Sequence, residues 1–135
     1  REGLIEQAGT ADEVYDAPVS RFAFEFIGDS NVVAVEVRGG CVLFEGDCLD
    51  LPRTDRADGP ALLGFRPHHV ARREAQGGSM AGRVVASRRA GGWRRLDVEV
   101  GTSRQRLQVD LPDDASAPRR GTVWVLPERY LLFDA

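Results

Sequence analysis

Two arginine pairs flank a glycine turn in this chain: Arg88-Arg89, then Gly91-Gly92, then Arg94-Arg95. Guanidinium groups form bidentate hydrogen bonds to oxyanions, and glycine-rich backbone lets N–H groups approach the same anion. The pattern could therefore hold a tetrahedral oxyanion such as sulfate, with Arg88, Arg89, Arg94 and Arg95 as ligands. The plainer reading is a solvated hairpin with its arginines in water. Nucleic acid is a weaker candidate, because base stacking needs several exposed aromatics and only Trp93 is near.

Other chemistry is thinner. Cys41, Cys48, His68 and His69 could suggest a metal, but adjacent histidines on a strand point to opposite faces. No metal site is expected. Cys41 and Cys48 are expected as small buried thiols of a reducing compartment, with one bridge as the alternative reading. No Ser/His/Asp set is compelling, and Asp113-Asp114 in a polar loop reads as turn chemistry, so no catalytic residue is assigned. Arg66, just before Pro67, is expected to form an ion pair or a carbonyl clamp at the rim of the fold.

The elements that must carry these residues follow from hydrophobic periodicity. Thr10-x-x-Glu13 has capping-box spacing, so a short helix is expected over 11–15, ending before Pro18. Ser20 can cap a second helix over 21–27, which places Phe22 and Phe26 on one face and Gly28 at its C-terminal end. From Asn31 the period changes to two. Val33, Val35 and Val37 form a strand, Gly39-Gly40 a tight turn, and Cys41 to Phe44 the return strand. Further strands are expected over 48–51, 61–66, 83–86, 93–100, 107–111, 122–126 and 130–133. In 93–100, Leu96, Val98 and Val100 share the inward face, and Leu107, Val109 and Leu111 do so in the next strand. Trp124 and Phe133 are expected in the core. Many short strands without intervening helices predict a small barrel or sandwich, not a parallel α/β sheet.

Composition sets the bounds. With 135 residues the chain can bury one moderate core. A net charge of −3 argues against bulk attraction to nucleic acid or anionic lipid. The charge is uneven: residues 1–58 hold thirteen acids and five arginines, and all eighteen basic side chains of the chain are Arg. No apolar run has the length to span a bilayer. The start carries no secretory pattern and no initiator Met, so the chain is expected to be a fragment of a longer protein.

Specific motifs run through the whole sequence. Gly3, Ile5, Glu6, Gln7, Gly9 and Thr10 are followed by Glu13-Val14-Tyr15, Pro18, and Phe26-Ile27-Gly28 with Asn31. Further on stand Gly64-Phe65-Arg66-Pro67-His68-His69-Val70, Gly121-Thr122-Val123-Trp124-Val125 and the closing Phe133-Asp134. Together these resemble the exit from the ATPase domain, and then the TOBE-type regulatory domain, of bacterial ABC-importer ATP-binding subunits. The sulfate/thiosulfate (CysA-type) branch is the most similar. The resemblance implies an OB-like small β-barrel over 31–135, preceded by two short helices within 1–30 that end the ATPase domain. Pro18, Gly28, Asn31, Arg66 and Pro67 would be hinge and structural positions. It further implies a second ATPase subunit and transmembrane permease subunits as partners, on the cytoplasmic side of the cell membrane without insertion into it.

The phosphate loop G-x-x-x-x-G-K-[ST] is missing from the sequence, as is the family's signature motif. The fragment is therefore expected to hold no cofactor and to hydrolyse nothing, while its parent would use ATP and Mg.

Overall fold

The computed structural model describes residues 5–8, 29–73, 77–114, 118 and 120–135. The two helices expected over 11–15 and 21–27, with Pro18 and Gly28, lie outside the described residues.

The described chain is mostly strand: β1 (Ile5–Ala8), β2 (Asn31–Arg38), β3 (Cys41–Phe44), β4 (Asp47–Cys48), β5 (Gly59–Phe65), β6 (Val70–Arg73), β7 (Met80–Ala90), β8 (Trp93–Val100), β9 (Gln105–Pro112), β10 (Gly121–Pro127) and β11 (Tyr130–Asp134). One sheet has the order β1-β11-β5-β2-β3-β4, the other β6-β10-β7-β8-β9, and every pairing is antiparallel. The fold is mainly β, of the TOBE/OB-like barrel class the sequence implied.

Alternation sets which face is buried. Along β2, Val33, Val35 and Val37 are buried while Ala34, Glu36 and Arg38 are exposed. Leu96, Val98 and Val100 of β8 and Leu107 and Val109 of β9 meet them in one apolar cluster, with Leu63, Phe65, Met80 and Leu132 among its members. That is the period-two pattern of sheets with one face turned inward. Phe133 is buried on the other side of its sheet, in a smaller group with Leu131, Val32 and Leu62.

Two corners carry the chain between the sheets. After β5, Arg66 leads into a 3-10 turn, Pro67–His69, and β6 begins in the second sheet. Pro67 is buried at the first position of this turn, where its missing N–H costs no hydrogen bond. After β10, Glu128-Arg129 returns the chain to the first sheet. The corners are tied together, because the Glu128 amide donates to the His69 carbonyl at 2.7 Å.

The seam between the sheets is closed by side chains. β3 pairs only with Glu36, Val37 and Arg38 of β2, so the first half of β2 lacks a neighbour on that side. β9, the last strand of the other sheet, lies there. The Asn31 side chain donates from Nδ2 to the Gln108 carbonyl at 2.8 Å and accepts from the Gln108 amide at 2.9 Å. Three residues on, the Ala34 amide donates to Gln105 Oε1 at 2.9 Å. A buried carboxamide thus stands in for one rung of a β-ladder.

Several sequence expectations change. The thiols expected at Cys41 and Cys48 are joined as a disulfide, and Cys48 is exposed, not buried. The two-residue turn Glu45-Gly46 folds β4 back on β3 and brings the two Cα atoms to 6.0 Å, inside disulfide reach. His68 and His69 sit on the 3-10 turn and not on a strand, so their rings lie together at 4.1 Å instead of on opposite faces. β6 had no signal in the sequence: four residues without alternation, held at an edge by β10. β7 runs on to Ala90, past a bulge between Val84 and Ala86, and so includes Arg88 and Arg89. Trp124 is only half-buried.

Candidate functional site

The arginine hairpin is the tip of β7 and β8. Register places Arg88 opposite Arg95 and Arg89 opposite Arg94. Successive cross-strand pairs point to opposite faces of the sheet, so the four guanidinium groups divide two and two. Like charges directly opposite each other repel, and the fold answers with carboxylates. Arg95 makes a bidentate pair with Asp110, Nε to Oδ1 at 2.7 Å and Nη2 to Oδ2 at 2.8 Å, and also reaches Asp29 Oδ2 at 2.9 Å. Asp110 is the main cause of a further rise in the already high Arg95 pKa.

On the other face Asp113 sits between two arginines, with Arg94 Nε at 2.9 Å and Arg89 Nε at 2.7 Å. Arg94 is buried and spends a second donor on Ser87 Oγ at 2.9 Å. Its bond to Asp113 and then its charge, with a smaller part from Arg89, hold the Asp113 carboxyl below the usual carboxylate range against the opposing effect of burial. Arg88 is the most loosely held, 3.9 Å from Asp97. The structure therefore does not gather Arg88, Arg89, Arg94 and Arg95 around one cavity. Acids of β8, β9 and the loop after β9 fill the places an oxyanion would take. Trp93 stands exposed at the tip, opposite Pro112.

Arg66 is buried and donates from Nη1 to the Asp29 carbonyl at 3.0 Å. Asn31 closes the seam already described. Both act on the first residues of β2 and on the chain just before it. Among the described residues no group of three or more His, Cys, Asp or Glu is placed to hold a metal ion.

A second anion-handling arrangement was missed in the sequence. The turn from β8 to β9 (Gly101 to Arg104) receives the Glu45 side chain from the β3–β4 turn. Glu45 Oε1 accepts from the Thr102 amide at 2.9 Å and from Thr102 Oγ1 at 3.3 Å. Oε2 accepts from the Ser103 amide at 3.2 Å and from Ser103 Oγ at 2.9 Å. The Thr102 amide is the largest cause of a Glu45 pKa below the ordinary glutamate range, and burial opposes it only in part.

Glu45 itself has φ of 50°, with Gly46 at 92° after it. Two positive φ values in a two-residue loop make a type I′ turn, whose first position favours Asn, Asp or Gly. A glutamate there costs on the order of 1 kcal/mol of backbone strain. That mismatch was the available signal. Opposite it, Gly101 has φ of 75°, and a Cβ on it would lie 2.4 Å from Glu45 Oε2 and 2.7 Å from Phe44 Cζ. An adjoining cleft of about 690 Å³ is lined by Glu45, Cys48, Ser79, Thr102 and Trp124.

With the barrel and its corners in place, comparison with known proteins is specific. The family described as "TOBE-like domain" matches residues 74–128. The matched residues make up about two-fifths of the chain. That match covers the whole β6–β7 connection, the β7–β8–β9 meander and β10.

Similarity extends beyond the matched residues. The sulfate/thiosulfate import ATP-binding protein CysA of Brucella melitensis is 42% identical over 134 residues, 99% of this chain and 37% of that protein. CysA 1 of Rhizobium meliloti is 43% identical over 133 residues, 98% of this chain and 38% of its own length. The Methylococcus capsulatus protein of the same name is 38% identical over 115 residues. The chain thus spans less than two-fifths of the length of these relatives. No helix among the described residues is long and apolar enough to cross a membrane.

Proposed function

We propose that the chain is a non-catalytic regulatory region of the ATP-hydrolysing subunit of a sulfate or thiosulfate importer. Residues 1–30 would end its ATPase domain and residues 31–135 form the regulatory barrel. The observation that carries this reading is similarity to sulfate/thiosulfate import ATP-binding proteins along nearly the whole chain, in a sequence that lacks a phosphate loop. ATP and Mg would bind the preceding ATPase domain. The barrel would meet its counterpart on a second subunit, while the parent engages permease subunits at the cytoplasmic face of the membrane. A signal could act there only by favouring one arrangement of the two subunits over another.

A graft tests this reading. The chain replaces the matching region of the Brucella melitensis relative, in cells lacking their own sulfate import. Restored sulfate uptake, with no ATP turnover by the chain alone, is the expected result. ATP turnover by the chain alone would overturn the reading. So would a well-expressed graft that restores no uptake although the relative's own region does.

A further inference from the structure

We propose that the Cys41–Cys48 bridge is a reversible thiol-exchange site. A dithiol protein opens it by attack on Cys48, and its state sets how firmly the β3–β4 turn grips the β8–β9 turn. The bridge crosses the hairpin on a diagonal, since Cys48 stands opposite Leu43, two residues along β3 from Cys41. It lies at the surface: Cys48 is exposed and Cys41 half-buried, while Val42, Phe44 and Leu49 beside them reach the core. Exposed bridges are the labile ones, whereas bridges that hold a secreted fold together resist reduction. This fold has an apolar core of its own, and the base of the hairpin is also tied by backbone, with the Leu49 amide donating to the Val42 carbonyl at 2.8 Å. The proposal rests on the importer reading for one point, the cytoplasmic setting of the barrel. Disulfides there are transient and serve catalysis or redox sensing.

The two sulfurs are not equivalent. Cys48 lines the cleft already described, together with Glu45, Asp47, Gly78 and Trp124, so a nucleophile can approach it from that side. Cys41 follows Gly39-Gly40, where Arg53 Nη2 donates to the Gly39 carbonyl and would lie 3.1 Å from a Cβ on Gly40. A guanidinium this near favours negative charge on Cys41 and makes it the better leaving group. A thiolate of the partner therefore attacks Cys48 Sγ, the bond between the sulfurs breaks, and its electron pair leaves on Cys41, which takes a proton. The partner's second thiolate then attacks the partner sulfur of the mixed disulfide, and Cys48 leaves and takes a proton in turn. Two electrons and two protons have passed to this chain, and the partner's dithiol has become its disulfide. The carboxylates of Glu45 and Asp47 beside Cys48 disfavour the anionic tripeptide glutathione as the attacking thiol. The half-buried Trp124 offers apolar surface to a protein.

What the bridge encloses gives its opening a consequence. β4 is two residues long, pairs only with β3 and ends its sheet. The turn inside the closed loop holds Glu45 at a positive φ that glutamate does not favour, and from there its carboxylate reaches the amides of Thr102 and Ser103. Opening the bridge removes the covalent closure around that turn and lets Glu45 relax. The redox state of two sulfurs thus becomes a difference in the contact between two hairpins.

The test mixes the bridged 135-residue chain with a bacterial thioredoxin whose second active-site cysteine is serine, so that the mixed disulfide is trapped. Acid quenching, alkylation and peptide mass spectrometry locate it. The expected result is thioredoxin on Cys48 and the alkyl label on Cys41. Intact thioredoxin should open the bridge at least about tenfold faster than reduced glutathione at equal thiol concentration. Oxidised thioredoxin or glutathione disulfide should close it again. Amide resonances of Thr102 and Ser103 should differ between the bridged and reduced chains. The double variant Cys41→Ser, Cys48→Ser should match the reduced chain. The proposal falls if thioredoxin is trapped on Cys41 or not at all, if glutathione is as fast, or if the bridge does not re-form. It falls also if Thr102 and Ser103 resonances ignore the bridge, or if reduction abolishes the near-UV circular dichroism of the fold, which would make the bridge structural. Each of these outcomes leaves the graft result unaffected, and a failed graft leaves the exchange measurements unaffected.

Discussion

Replacing Asn31 by Ala should open the seam of the barrel without touching its apolar core. The side chain is 3% exposed and forms two hydrogen bonds to the Gln108 backbone, at 2.8 and 2.9 Å. Removing it leaves one amide N–H and one carbonyl without their partners on a half-buried strand. Each such group costs about 1–1.5 kcal/mol when water reaches it only in part, so the loss should be about 2–3 kcal/mol. For a domain of this size that corresponds to a fall in melting temperature of about 8–12 °C. Urea unfolding followed by circular dichroism gives the free energy directly. Asn31→Asp sharpens the test. A carboxylate could still accept from the Gln108 amide but would face the Gln108 carbonyl with no proton to share. Its folded pKa should rise above the unfolded value, so this variant should regain stability as pH falls through that raised pKa. A loss below about 0.5 kcal/mol for Asn31→Ala, or no recovery of Asn31→Asp in acid, would refute the claim that the carboxamide replaces a ladder rung.

Three further outcomes follow from other parts of the fold. Gly82→Ala would put a Cβ 2.5 Å from Val98 Cγ1 and 2.9 Å from Val100 Cγ1, and should cost about 1–3 kcal/mol in urea unfolding. Arg94→Ala should let the Asp113 carboxyl rise toward its ordinary range, seen by NMR titration; because the folded pKa is depressed, the stabilisation it brings is present above the unfolded pKa, fades as pH falls through the folded one, and should shrink in the variant. Reducing the Cys41–Cys48 bridge, which joins residues seven apart, should lower stability by about 2–2.5 kcal/mol, and Cys48→Ser should make melting indifferent to reductant.

What the sequence made legible depended on one-sided burial. β2, β8 and β9 alternate cleanly because one face of each meets the core, and their turns carry glycine where the backbone needs positive φ, as at Gly39 and Gly40. β6 and the extension of β7 beyond its bulge have no such contrast, and their positions are set by the strand beside them. Residue periodicity says which way a side chain faces. It does not say what lies across from it. The arginines of 88–95 were visible as a charge cluster, but the acids that neutralise them include Asp29 and Asp113, brought in from distant or irregular segments. Asn31 and Gln108 are 77 positions apart, and Glu45 and Thr102 are 57 apart. Such pairs leave no local signature. Only the unusual glutamate in a tight turn hinted at one of them.

Residues 29–31 are fastened at three places: the Asp29 carbonyl to Arg66, the Asp29 carboxylate to Arg95, and Asn31 to Gln108. These rivets reach the β5 corner, the β8 hairpin and the β9 seam at once. A tug arriving along the backbone from the preceding segment therefore finds no slack at the threshold of β2. It would be shared across both sheets through these three contacts.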